Sequence, residues 1–124
     1  MPGRDSQAAG RWAEAEADRY LRLQGLELVQ RNFRCRRGEI DLIMIDGHVL
    51  VFVEVRYRRA SAFGTGADSI TSAKQRKLLA AAGFFLARAG WATQPACRFD
   101  VVSVSRGNCG PEFQWIRDAF THVA

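Results

Sequence analysis

Two carboxylates stand in apolar runs that would not ordinarily carry them. In GEIDLIMIDGHVLVFVEVRYRR, residues 38–59, Asp41 lies just inside one run and Glu54 near the end of the next. An ionised carboxylate taken out of water is costly enough that such groups are paired, protonated or metal-bound. Arg56 follows Glu54 two residues later. Side chains alternate along a strand, so Glu54 and Arg56 share a face with Leu50 and Phe52. Asp41 shares one with Glu39, Ile43 and Ile45. With Asp46-Gly47 as a two-residue hairpin turn, Ile45 opposes His48, Asp41 opposes Phe52 and Glu39 opposes Glu54. Asp41, Glu54 and Arg56 then converge on one side, and the Asp41–Glu54 diagonal spans about 7–8 Å. A one-residue slip would send Asp41 to the opposite face.

Two carboxylates on one face, backed by apolar residues, repel each other, and one pKa rises. A hard divalent cation removes the conflict, because Mg²⁺ takes a few carboxylate oxygens and keeps several waters. Such an ion activates water and stabilises charge developing on a phosphate. The same spacing equally fits solvated strand-end glutamates, Glu39 and Glu54, paired with Arg56 or Arg58.

The elements that must position these groups can be read from periodicity. Residues 1–10 are small and polar and are expected to be flexible, ahead of a single domain over 11–124. Ala13, Ala17, Tyr20 and Leu21 form the apolar stripe of a helix from Arg11 to about Gln24, which Gly25 stops. Strands follow at 26–35, 39–45 and 49–57, then a Gly- and Ser-rich loop over 60–69. Thr71 or Ser72 caps a long helix that Gly90 closes near Ala89; its start is basic, and LLAAAGFFLA packs on a sheet. RFDVVSVS (98–105) is a further strand, and FQWIRDAF (113–120) a short strand or helical turn. The long helix is then a crossover between parallel strands in an α/β fold.

Composition narrows the class. The chain has 124 residues, 48% hydrophobic and 25% charged, as an ordinary globular domain has. Its net charge of +5 favours a polyanionic partner. Cys35, Cys97 and Cys109 are odd in number and lack metal-type spacing, so reduced thiols are expected. No apolar segment approaches the ~20 residues that span a bilayer, and no apolar signal core is present. A cytoplasmic protein without a membrane partner is the expectation. Trp12, Trp91, Trp115 and Phe33 read as packing residues, while His48 and His122 lie away from the carboxylates in sequence and do not read as catalytic.

In order, GRWAEAEADRYL, RNFRCRRGEIDLI, LVFVEVRYRR, FGTGADSITSAKQRKL and RFDVV, over roughly residues 10–102, resemble the PD-(D/E)XK nuclease superfamily. They most resemble its small bacterial YraN-like branch of proposed endonucleases, related to Holliday-junction resolvases. The resemblance implies a restriction-endonuclease-like αβββαβ core, a mixed sheet flanked by helices. It implies that Asp41 and Glu54 ligate Mg²⁺ or Mn²⁺, with Glu14 binding directly or through water. From the helix alone Glu14 and Glu16 both flank the apolar stripe; the resemblance selects Glu14. It matches Lys74 and Gln75 to a K-Q pair that would hold the scissile phosphate near a helix N-terminus. Lys74, Arg76 and Lys77 equally suit the solvated face of an amphipathic helix.

Arg56 departs from the motif, which has Lys there. Arginine offers a two-pronged phosphate contact but gives up no proton near neutral pH. Arg56 could clamp charge while metal-activated water attacks, Lys74 could reach in from the second helix, or catalysis could be lost. Arg31, Arg34, Arg36, Arg37, Arg58 and Arg59 border the site and suit contacts that track a nucleic-acid backbone. Tyr57 is placed to stack on bases. The expected activity is metal-dependent phosphodiester hydrolysis on DNA, branched or single-stranded; the rival is a nucleic-acid-binding protein without turnover. A third reading is a protein-interaction scaffold whose basic face meets an acidic partner. Junction cutting would favour a symmetric homodimer.

Overall fold

A computed structural model describes residues 2–59, 70–91 and 94–120. The expected 60–69 loop and His122 lie outside the described residues. The elements are α1 (Pro2–Leu23), β1 (Glu27–Cys35), β2 (Gly38–Asp46), β3 (Val49–Tyr57), α2 (Ser72–Ala89), β4 (Ala96–Gly107) and β5 (Gly110–Ile116). They form one five-stranded sheet in the order β1-β2-β3-β4-β5. Among the described residues only β3 and β4 pair in parallel, and α2 makes the crossover between them. The αβββαβ order is the one expected, extended by β5, which resolves the last segment as a strand.

The two helices cover opposite faces. Along β3, Val51 and Val53 pack with Ala13, Ala17 and Leu21 of α1. Leu50 and Phe52 pack with Leu78, Ala81, Ala82 and Phe85 of α2. Each large side chain so buried stabilises the fold by about 1.5–3 kcal/mol. The N-terminal stretch is helical from Pro2. Proline's fixed φ suits the first helical position, and Ala8 and Ala9 are strong helix formers. Thr71 caps α2 by accepting a bond from the Lys74 N–H at 3.2 Å, and Gly90 closes it at φ 65°. Gly38 lets β2 lie directly on α2: a Cβ there would stand 3.2 Å from the Lys77 carbonyl oxygen.

The hairpin register differs from expectation by two residues. Asp46 pairs with Val49, and the turn is Gly47-His48. Gly47, at φ 63°, occupies the first central position, where tight hairpin turns require positive φ. Asp46 is held in the ladder by Arg98 at 2.9 Å. The shift is by an even number of residues and leaves Asp41 beside Glu54. Continuing the register past Leu42–Val53 sets Asp41 opposite Glu54 rather than Phe52. Glu39 instead pairs with Arg34 of β1.

Packing roles divide. Phe33 is buried against Phe85, edge to face at 5.4 Å. Trp91, read as a packing residue, meets Phe85 edge to face at 6.0 Å and is otherwise exposed. Its position just beyond Gly90 puts it past the end of the helix and its packed face.

Candidate active site

Asp41 sits where β2 changes course. Ile40 packs on the α2 face, yet Leu42, two residues on, packs on the α1 face. Regular alternation would put them on the same side, so the strand turns over at Asp41. The β2–β3 ladder ends at Leu42–Val53, while β2 stays paired with β1 to Gly38. Leaving β3 there would deprive its backbone of an acceptor. The Asp41 carboxylate fills that place, taking a bond from the Val55 N–H at 2.9 Å. Across the same region β1 has its own irregularity, with Asn32 at φ 52°.

Burial, followed by repulsion from Glu54, pushes the Asp41 carboxyl up to about 8. A side-chain hydrogen bond with Glu54 adds to the rise, while the Val55 N–H works the other way. Neutral pH therefore finds Asp41 holding a proton that an exposed aspartate would have lost. Lys74, in the first turn of α2, brings its ammonium to 3.5 Å from Glu54 Oε2. A helix on one side of the crossover thus delivers a lysine to a carboxylate on the strand before it. Arg56, half-buried, occupies the next same-face position of β3.

On the α1 side Glu14 is raised by burial, then by Glu39; a bond from the Asn32 side chain and the charges of Arg34 and Arg31 oppose this. Glu14 in turn adds to the repulsion at Asp41. Glu16 pairs within the helix with Arg19 at 3.4 Å. Of the two helix glutamates, Glu14 is the one that feels the strand carboxylates.

The other expected residues are more dispersed. The Gln75 amide donates to the Ile70 carbonyl at 2.9 Å, bracing the approach to α2. Arg76 and Lys77 are exposed on α2, as are Arg36 and Arg37 in the β1–β2 turn and Arg59 beyond β3. Arg58 is half-buried, and Arg34 pairs with Glu39 at 3.2 Å. Arg31 is committed to Asp18, a buried carboxylate that Arg22 also grips. Sequence reasoning missed Asn32 as the support of Glu14; its signal is an asparagine at a strand irregularity, a type that tolerates positive φ.

The donor set fits a hard divalent cation. Asp41 and Glu54 offer only oxygen ligands, and their mutual repulsion is the conflict such an ion relieves. Among the described residues no group of three or more His, Cys, Asp or Glu side chains stands close enough to hold a metal. Further ligands would have to come from water, backbone or substrate, as is ordinary for Mg²⁺. Among the described residues no helix is long and apolar enough to cross a membrane. Cys35, Cys97 and Cys109 are all free thiols.

Residues 13–104 match the model of a family described as "Uncharacterised protein family UPF0102". A UPF0102 protein of the bacterium Nitrosococcus oceani is 53% identical over 111 residues, covering 90% of each chain. One from Pseudomonas savastanoi pv. phaseolicola is 50% identical over 123 residues, 97% of this chain and 98% of its own. A third, from Stutzerimonas stutzeri, is 50% identical over 117 residues, 94% of this chain and 97% of its own. These descriptions give no activity.

Proposed function

The chain belongs to the UPF0102 family, and from the geometry of its site we propose that it is a Mg²⁺- or Mn²⁺-dependent endonuclease that hydrolyses phosphodiester bonds in DNA. The observation that carries this reading is the meeting of Asp41 and Glu54 where β2 leaves β3, with Lys74 at 3.5 Å from Glu54. The PD-(D/E)XK resemblance supports it through the same residues.

Asp41 and Glu54 would hold the cation, and Glu14 would reach it through water from the α1 side. The bound ion would activate a water and offset charge developing on the phosphate. Asp41 must first give up its proton, which burial and Glu54 retain in the metal-free chain. Lys74, relieved of Glu54, is placed to meet a phosphate oxygen beside the α2 N-terminus, whose N–H groups also favour anions. Arg56 would act as an electrostatic clamp on the phosphate. Gln75 keeps the α2 entry in place through Ile70.

The test is nicking of branched and single-stranded DNA with Mg²⁺. Wild type should cut, and chelator or Asp41→Ala should abolish cutting. Equal cleavage in either would sink the proposal. Arg56 favours a second reading, a nuclease-fold protein that binds DNA without turnover. Salt-sensitive binding with no metal-dependent cutting would select it.

A further inference from the structure

A second cluster occupies the same end of the sheet on its α1 face. Tyr57, the last residue of β3, is 38% exposed, and its ring meets Trp12 of α1 nearly perpendicularly, with centroids 6.1 Å apart. The guanidinium carbon of Arg106, from β4, lies 4.0 Å from the centroid of the Trp12 ring. Arg59 and Arg106 are both exposed. Among the described residues another aromatic group on this face is more covered: Tyr20 stacks on Phe113 at 4.3 Å and meets Trp115 edge-on at 6.1 Å, and all three are half-buried.

Tyr57 differs because much of its ring remains in water while its packing partner is fixed from two sides. Cation–π attraction holds Arg106 on Trp12, and Trp12 limits the motion of Tyr57. A partly exposed aromatic with arginines beside it offers the two things a nucleic-acid strand presents complements for, a π-face and a phosphate charge. Tyr57 lies three residues beyond Glu54, about 10 Å along the strand and on the opposite face of the sheet.

We propose that Tyr57, backed by Trp12 and Arg106, stacks on an unpaired nucleobase and that Arg59 and Arg106 meet its flanking phosphates. A base within a duplex already has both faces covered, so this platform selects unpaired segments. The inference rests on the nucleic-acid part of the reading above and not on its cleavage step. DNA and RNA share the required chemistry.

The experiment is fluorescence anisotropy in chelator at low salt, with labelled oligo-dT, oligo-U and a blunt duplex of equal length. Wild type should bind the single strand more tightly than the duplex. Tyr57→Ala should weaken single-strand binding about tenfold and leave duplex binding within about twofold. Tyr57→Phe, which keeps the π-face, should behave as wild type and guards against a folding effect. The oligo-dT and oligo-U arms show which sugar is preferred. Unchanged single-strand affinity in Tyr57→Ala, or equal affinity for single strand and duplex, overturns the proposal. Cleavage is scored separately: wild-type nicking with no Tyr57 effect rejects the platform alone, whereas Tyr57-dependent binding without nicking rejects the catalytic reading alone.

Discussion

Asp41 and Asp100 are the same residue type, both in strands of one sheet and both flanked by apolar neighbours, yet the chain treats them in opposite ways. Asp100, 1% exposed, accepts from Arg98 at 3.0 Å, from the Trp115 indole at 2.9 Å and from the Asp118 N–H at 2.9 Å. Arg98 also reaches Asp46, so the network ties β4 to the β2–β3 hairpin and to the turn after β5. Asp41 receives one backbone N–H and is set against another carboxylate. A buried charge whose donors are all supplied by the fold holds the fold together. One left facing a like charge destabilises the metal-free chain, and that cost is tolerated where something else is to bind.

Removing the two carboxylates should therefore have opposite effects. Asp100→Ala takes from Arg98 one of its two carboxylates and leaves the Trp115 and Asp118 donors without their acceptor; urea unfolding should show a loss of about 3–5 kcal/mol. Asp41→Asn removes the conflict with Glu54 and should leave metal-free stability unchanged or higher, while nicking falls at least about a hundredfold. If both variants lost stability alike, the contrast would be wrong.

The pH dependence sharpens the difference. Folded Asp41 keeps a proton from its ordinary value of 3.8 up to about 8, whereas the unfolded chain releases it. The native state thus binds more protons in that window, so raising pH lowers metal-free stability there, by at most about 1.4 kcal/mol per pH unit. Thermal melts of wild type should show this excess slope, and Asp41→Asn should lack it.

Two cations near the site separate smaller effects. Lys74→Ala removes the ammonium beside Glu54 and should cut nicking about tenfold while leaving thermal stability nearly unchanged, since the pair is partly exposed. Arg56→Lys should raise nicking severalfold if Arg56 stands in the role of the motif lysine.

Much of this was legible in the sequence because it depends on local pattern. Alternation in FVEVRY places Glu54 and Arg56 on one face, and Thr71 with Gly90 bounds the helix that carries Lys74. The hairpin register was not, because Asp-Gly and Gly-His are both workable turns, and the ion pair from Arg98 to Asp46 favours the second. The turnover of β2 at Asp41 was also hidden. It needs Asn32 across the sheet and a Val55 N–H lacking a ladder partner, both distant in sequence. Arg31 likewise reads as a surface cation until Asp18 is seen beneath it.

Asp41 and Glu54 are expected to bind a divalent cation together, in place of a proton. Calorimetric titration of Mn²⁺ at pH 7, in two buffers of different ionisation enthalpy, measures metal uptake and proton release at once. One site that expels up to about one proton is expected, with both signals lost in Asp41→Asn. Absence of binding at millimolar Mn²⁺, or binding that survives Asp41→Asn unchanged, would contradict it.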